Sequence, residues 1–192
     1  MDNNHIKEYW QLCQNVRDSG KFTEGVALHK SDTDTMAVFG NVIVCDGTDT
    51  LREWVENVAI FRSGKNDTHA GFSSAAEDFF EQLRPLLKTK KNWIFCGHSR
   101  GGAISQAVAL LVAQSGYGYS CQVVTFGSPK VGGKRFLSLM AKYAITHIRV
   151  VMDGDPIQRW PLWWKHYETD LVDVPNKETS KIKKHLNYGD WL

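Results

Sequence analysis

The sequence predicts an α/β fold with a mainly parallel central sheet that helices cover on both faces. Strand-like runs rich in β-branched and aromatic residues occur at 93–96, 122–126 and 147–151. Stretches with helical spacing separate them, at 102–114 and 134–142. Because parallel strands need a crossover of about a dozen residues or more, this alternation favours parallel pairing.

The rest of the chain supplies further elements of both kinds. The other predicted elements are helices at 5–17, 74–87 and 176–184 and strands at 26–28, 36–39 and 42–45. The first helix has Ile6, Trp10 and Val16 at helical spacing, and the second is expected to be interrupted or tightened near Pro85. Ligands of parallel sheets bind at the carboxyl ends of strands, so we expect the chemistry after residues 45, 96, 126 and 151.

Length and composition favour one globular domain over 1–192, since the 192 residues include 42% hydrophobic ones. The formal net charge is only +2, which gives no field for binding nucleic acid. No apolar run is long enough to span a bilayer and no secretory signal is visible, which leaves the compartment open. Cys45, Cys96 and Cys121 lie in or beside apolar runs, so we predict buried free thiols and no metal site.

A nucleophile motif stands between a predicted strand and a predicted helix. The segment Gly97-His98-Ser99-Arg100-Gly101 matches G-x-S-x-G, in the strand-turn-helix context of a nucleophile elbow. Glycines two positions either side leave room for the strained turn that exposes the serine. A serine is a weak nucleophile alone, so the chain must also supply an acid and a histidine, in that order.

Further motifs extend the pattern along the chain. They are VCDGTDTLREWVEN at 44–57, HAGF at 69–72, FGSPKVG at 126–132, RVVMDGD at 149–155 and HLNY at 185–188. Together with the serine motif, and in this order, they resemble the class 3, or fungal-type, lipases, over about residues 38–189. The resemblance implies the α/β-hydrolase fold and the hydrolysis of carboxylic esters.

For the catalytic acid, the resemblance favours Asp155. The family's acid stands six residues before a proline, as Asp155 does before Pro161. Pro156 also biases residue 155 away from helical geometry. Asp153 follows the same strand and stays open as the alternative, with Asp155 then only capping the loop.

For the base, the resemblance favours His185, which matches the family's H-L-x-Y motif and follows the acid in the chain. We expect it on a late loop after a helical stretch. His147 precedes the acid, which breaks the expected order. His166 resembles a different family position, a histidine in the strand that follows the acid.

The oxyanion hole needs two backbone N–H donors, and the resemblance implies Thr48 and Arg100. Two residues depart from the family here. Asp46 stands where the family typically has arginine, which predicts that the oxyanion loop is held differently. Arg100 stands where the family usually has an apolar residue; its guanidinium either forms a surface salt bridge or binds a phosphate or carboxylate of the substrate.

An amphipathic helix is predicted at 50–61. Its apolar face carries Leu51, Trp54, Val55 and Val58. In the resembling lipases such a helix is a lid, and the alternative is a static helix packed on the core.

The expected function is therefore cleavage of lipid or acylglycerol esters through an acyl-enzyme on Ser99. No cofactor is expected, water is the second substrate, and contact with a lipid interface is transient. The alternatives are phospholipase A1 or acyltransferase activity, or a catalytically silent lipase-like binding domain.

Overall fold

Seven strands form one sheet in which neighbours in sequence are neighbours in space. The computed structural model describes residues 2–19, 26–30, 34–47, 64–88, 92–117, 120–175, 180–186 and 188. The strands are β1 (Val26–Lys30), β2 (Asp34–Phe39), β3 (Val42–Gly47), β4 (Asn92–His98), β5 (Ser120–Phe126), β6 (Thr146–Met152) and β7 (Asp170–Val174). β1, β2 and β3 pair antiparallel, and β3 to β7 pair parallel. The predicted mainly parallel sheet is confirmed.

Helices cover both faces of the sheet, as predicted. They are α1 (Asn3–Ser19), α2 (Ala70–Leu87), α3 (Ser99–Ser115), α4 (Lys134–Lys142) and α5 (Lys181–Leu186), with short 3₁₀ turns at Lys65–Asp67 and Ile157–Arg159. None of the helices in the described ranges is long and apolar enough to cross a membrane. The helix predicted at 50–61 lies outside the described residues.

The two cores follow from the alternation of side chains along each strand. Phe95 and Val123 point to the face covered by α2, α3 and α4, while Cys96 and Val124 point to the face covered by α1. The strands from β3 to β6 therefore pack against helices on both faces of the sheet. The loops that follow the carboxyl ends of these strands start from this packed sheet.

Cys45, Cys96 and Cys121 are buried free thiols, which confirms that prediction, and Cys13 is a fourth. Burial raises the pKa of the Cys45 and Cys121 thiols to about 12, so they stay protonated. They contribute to packing as small apolar groups.

The helix predicted at 74–87 differs from α2 in where it begins and in the effect of Pro85. α2 begins at Ala70 rather than 74, because the His69 side chain caps it by accepting a hydrogen bond of 3.2 Å from the Gly71 N–H. Pro85 lies in the last turn of α2 and does not interrupt it.

Candidate active site

The turn from β4 to α3 holds Ser99 in a left-handed conformation, with φ of +54°. This conformation costs a non-glycine residue roughly 1–2 kcal/mol, so the surrounding structure must impose it. A Cβ atom on Gly97 would lie 2.4 Å from the Gly101 carbonyl carbon, and one on Gly101 would lie 2.1 Å from the Cys45 carbonyl oxygen. Both glycines are therefore required sterically, as the motif predicts.

Asp155 and His185 form a buried pair beyond the end of β6. Asp155 Oδ2 lies 2.8 Å from His185 Nδ1, and neither side chain is more than 1% exposed. The carboxylate is fixed further by the Tyr188 hydroxyl, which donates to Oδ2 at 2.8 Å, and by the Ile157 N–H, which donates to Oδ1 at 2.9 Å. Because a carboxylate only accepts, the imidazole proton is on Nδ1 and the lone pair is on Nε2.

The Nε2 atom of His185 is buried and has no hydrogen-bond partner within the described part of the chain. A buried acceptor without a partner costs free energy, so this nitrogen is open to a hydrogen bond from a group that the described residues do not supply. A base that takes a proton from a serine needs an unoccupied lone pair of this kind.

His98 links His185 to the turn that carries Ser99. Its Nε2–H donates a hydrogen bond of 2.7 Å to the His185 carbonyl oxygen, and the two rings lie 4.7 Å apart between centroids. Burial, with the nearby His185 ring and Arg17 guanidinium, lowers the pKa of His98 well below its usual value. A neutral His98 accepts at Nδ1 from Arg17 Nη1, at 3.4 Å. The residue that precedes Ser99 is thus hydrogen-bonded to the backbone of His185.

The other candidates for acid and base lie in different surroundings. Asp153 is exposed, whereas Asp155 is buried. His147 donates from Nδ1 to the Tyr167 carbonyl oxygen at 2.5 Å and accepts at Nε2 from the Thr125 hydroxyl at 2.9 Å. Burial lowers the pKa of His147 to about 3. Both of its ring nitrogens are occupied, as in a structural histidine.

His166 lies in the loop before β7, not in the strand where its family counterpart was expected. Its Nε2–H donates to the Gln158 carbonyl oxygen at 2.6 Å. Burial, with the Arg149 guanidinium, lowers the pKa of His166 to about 3. His185, by contrast, was expected on a loop but lies in the last turn of α5.

Arg100 does not form the surface salt bridge that was one of its two expected roles. Its Nε and Nη2 atoms donate to the two carboxylate oxygens of Asp34 on β2, at 2.7 and 2.9 Å. The side chains are only 16% and 8% exposed, which makes this a largely buried, bidentate pair. The guanidinium also lies 5.8 Å from the centre of the Phe72 ring.

The Arg100 side chain crosses the base of the predicted oxyanion loop. A Cβ atom on Gly47 would lie 2.7 Å from Arg100 Cγ, so only glycine fits against the aliphatic part of the Arg100 side chain. The Arg100 N–H lies in the first turn of α3, where backbone donors have no intrahelical acceptor. Thr48 and the lid candidates Leu51, Trp54, Val55 and Val58 lie outside the described residues.

Two neighbours of the Asp155–His185 pair were not singled out from the sequence. A Cβ atom on Gly127 would lie 2.7 Å from Asp155 Oδ2 and 3.1 Å from His185 Nδ1. Tyr188 donates to Asp155 and accepts at 3.2 Å from the Met152 N–H. Both stand in motifs noted above, FGSPKVG and HLNY, and that position is the only signal that could have found them.

A strained serine between strand and helix, followed along the chain by a buried Asp–His pair, is an arrangement of the α/β-hydrolase type. The chain belongs to the class 3 lipase family: the Lipase (class 3) family matches residues 42–164, more than half of the sequence.

Solved structures of fungal lipases share the fold. Lipase II from Rhizopus niveus has a TM-score of 0.71 at 20% identity, with coverage of 99% of this chain and 96% of that one. The Rhizomucor miehei lipase propeptide complex, in a deletion-mutant form, has a TM-score of 0.73 at 19% identity, covering 92% of this chain and 69% of that one. The α/β-hydrolase fold is therefore confirmed.

Curated relatives include enzymes with different named substrates. Secreted mono- and diacylglycerol lipase 1 of Fusarium solani is 25% identical over an alignment of 134 positions, and the match covers 62% of this chain and 39% of that protein. Phospholipase A1 PLIP1, chloroplastic, of Arabidopsis thaliana is 30% identical over an alignment of 135 positions, and the match covers 62% of this chain and 21% of that protein. The chain thus matches well under half the length of these relatives.

Proposed function

We propose that this chain is a serine hydrolase that cleaves carboxylic esters of lipids, through an acyl-enzyme on Ser99. The observation that carries the proposal is the buried Asp155–His185 contact of 2.8 Å, held beside the strained turn that presents Ser99. Membership of the class 3 lipase family and the relatives named for acylglycerol and phospholipid substrates support the substrate class.

In the first half of the reaction, His185 Nε2 accepts the Ser99 hydroxyl proton as the oxygen bonds to the ester carbonyl carbon. Asp155 stabilises the imidazolium by accepting a hydrogen bond from its Nδ1–H. The Arg100 and Thr48 N–H groups donate hydrogen bonds to the oxyanion and stabilise its negative charge. The carbon–oxygen bond to the alcohol then breaks, and the imidazolium returns its proton to that oxygen.

In the second half, water replaces the alcohol. His185 takes a proton from the water as its oxygen bonds to the acyl carbon. Collapse of the second oxyanion releases the fatty acid and restores the proton to Ser99. Tyr188 and the Ile157 N–H keep the Asp155 carboxylate oriented throughout, because each occupies a lone pair that would otherwise take part in alternative contacts.

The test is a substrate panel: p-nitrophenyl esters of rising chain length, a diacylglycerol and a phosphatidylcholine, each with the wild-type chain and with Ser99→Ala. We expect the wild type to release fatty acid from the neutral ester and Ser99→Ala to lose on the order of 10⁴-fold in rate or more. A folded wild type that hydrolyses no ester in the panel would support the silent binding domain instead.

Phospholipase A1 activity is the second candidate, favoured by the 30% identity to the relative named for that activity. It predicts release of the sn-1 acyl chain from phosphatidylcholine faster than from diacylglycerol. Acyl transfer is distinguished from hydrolysis by adding an alcohol acceptor and measuring ester formation.

The lid function of Leu51, Trp54, Val55 and Val58 stays a prediction. If these residues form a lid, Trp54→Ser should reduce interfacial activation and leave the hydrolysis of short soluble esters unchanged.

A further inference from the structure

A pocket opens at the β6–β7 side of the sheet. Its volume is about 440 Å³, and it is lined by residues that include Arg149 and Val151 on β6 and Leu171 on β7. Ser99, Asp155 and His185 do not line it. The proposed reaction leaves this pocket without a role.

The pocket has an apolar wall that water reaches. Arg149 is paired in register with Leu171, so Val151 lies on the same face of β6 one step further along. Leu162, from the loop after β6, is 66% exposed, and Leu171 is 45% exposed. Large apolar side chains grouped at a concave surface indicate a place where an apolar ligand is received.

Cations gather at the same pocket in excess over acids. Arg149 pairs with Glu168, whereas the guanidinium of Arg159 has no acidic partner within the described ranges and is exposed. Lys130 Nζ donates to the Arg159 carbonyl oxygen at 2.9 Å, which brings a third cation to the pocket. Glu168 is the carboxylate that Arg149 contacts, and Asp173, which pairs in register with Val151, is a second carboxylate on that face. Three cations and these two carboxylates leave an excess of one positive charge around the pocket.

The surroundings of Lys130 disfavour its positive charge. Burial, together with the neighbouring Arg149 guanidinium, lowers the pKa of Lys130 below its usual value. An anion bound between these groups would relieve the repulsion, and would do so in surroundings that are partly shielded from water.

We propose that this pocket binds a single-chain anionic amphiphile, with its head group at Lys130, Arg149 and Arg159 and its chain along Val151, Leu162 and Leu171. The head group is either the carboxylate of a fatty acid or the phosphate of a lysophospholipid. Both are chemistries found where lipid esters are cleaved, but binding here does not require that this chain perform the cleavage.

The experiment is isothermal titration calorimetry on the full chain, below the critical micelle concentration of each probe. The probes are dodecanoate, dodecyl phosphate, hexanoate and dodecyltrimethylammonium. Ser99 is first blocked with a dodecyl phosphonate, so that the proposed active site does not contribute. If Ser99 resists the block, the proposed function has failed; the titration is then run on the unblocked chain, where the variants below still decide.

The test variant is Lys130→Gln with Arg159→Gln, and the matched control is Lys7→Gln with Lys88→Gln, which removes the same charge from exposed positions outside the pocket. We expect wild type to bind at least one of the two dodecyl anions, and more tightly than hexanoate or the dodecyl cation. The test variant should weaken anion binding about tenfold or more, because charge-assisted contacts are lost, while the control changes it less than about twofold. Preference between carboxylate and phosphate identifies the source of the ligand.

Arg159→Gln alone, at an exposed side chain, repeats the test without risk to folding and should give part of the same loss. Three results would overturn the proposal: no saturable binding of either dodecyl anion, equal binding of the dodecyl cation, or equal weakening by the control variant.

Discussion

Gly127 sets how closely the end of β5 approaches the proposed acid and base. Its φ is +56°, and any Cβ would press on Asp155 Oδ2 and His185 Nδ1. Gly127→Ala should therefore lower kcat about a hundredfold, since displacements of about 1 Å at reacting groups have costs of that size.

Gly40→Ala is the matched control for that change. Gly40 has a similar φ of +61°, but nothing lies within 4 Å of where its Cβ would be. Backbone strain alone should cost Gly40→Ala roughly 1 kcal/mol in the free energy of unfolding, and we expect the same strain in Gly127→Ala. The kcat of Gly40→Ala should not change. Equal kcat in the two variants, measured on a soluble ester, would show that Gly127 has no part in positioning the pair.

The choice of acid is tested by exchanging carboxylate for amide at two neighbouring positions. Asp155→Asn keeps the side-chain shape but cannot stabilise an imidazolium, so kcat should fall by about 10⁴-fold. Asp153→Asn changes an exposed side chain and should leave kcat within about twofold. Reversed effects would place the acid two residues earlier.

At the residue scale, sequence motifs were enough to propose Ser99, Asp155 and His185, because each stands in a local pattern. The partners of those residues were not accessible in the same way. Tyr188 reaches Asp155 across 33 positions of chain, and His98 reaches the His185 carbonyl across 87. Only the folded chain brings such distant residues together, so their hydrogen bonds have no local signature.

At the scale of elements, the Arg100–Asp34 pair joins the start of α3 to β2 across the base of the predicted oxyanion loop. Asp34→Asn leaves a mostly buried guanidinium without its counter-charge, which should cost about 3 kcal/mol in the free energy of unfolding. We also expect kcat to fall about tenfold or more with little change in KM, because the Arg100 side chain would no longer hold Gly47 in place.

Glu81→Gln provides the control, since it removes the carboxylate from a pair of 2.9 Å with Arg84 whose side chains are 63% and 50% exposed. Its effect on stability should not exceed about 0.5 kcal/mol, and kcat should not change. Urea unfolding and steady-state kinetics measure both quantities. A normal kcat in Asp34→Asn would restrict the pair to a role in stability.

Element types were predictable from the period of apolar residues, and α4 matches its predicted range of 134–142. Element ends were less so. α2 starts early because a histidine caps it, and histidine is not among the usual capping residues. Arg100 was misjudged for a related reason: its partner Asp34 lies on a different element, and no spacing rule connects a helix start to an antiparallel strand.

For the whole molecule, three histidines link stability to pH: His98 and His147 are buried, and His166 is half-buried. The pKa of His147 and of His166 falls to about 3 in the folded chain, and that of His98 also falls. In the unfolded chain each titrates near 6.5, so the unfolded state binds more protons below about pH 6.5. The contribution of these histidines to the free energy of unfolding is therefore fully present above about pH 6.5. It is lost as the pH falls from there toward their folded-state pKa values.

His147→Gln tests this linkage, because glutamine keeps a donor and an acceptor but does not titrate. Between about pH 6 and 5, the slope of unfolding free energy against pH should decrease by about 1.4 kcal/mol per pH unit, one proton's worth. Identical slopes for wild type and His147→Gln in urea titrations would contradict the linkage.

The architecture as a whole was predictable because alternation of strand and helix leaves few ways to build a parallel sheet. The pocket at β6–β7 was not predictable, since no spacing rule in the sequence connects Lys130, Arg149 and Arg159, which line it together. Its proposed ligand is therefore inferred from the structure and not from the sequence.

The central claim is that Ser99 is a nucleophile activated by His185 and Asp155. Its most direct test is mass spectrometry of the chain after reaction with a fluorophosphonate, in wild type and in Ser99→Ala, Asp155→Asn and His185→Ala. We predict one covalent adduct, located on Ser99, that forms readily in wild type, is absent in Ser99→Ala and forms far more slowly in the other two variants. An adduct on another residue, or equal labelling of Ser99 when His185 is replaced, would contradict the account.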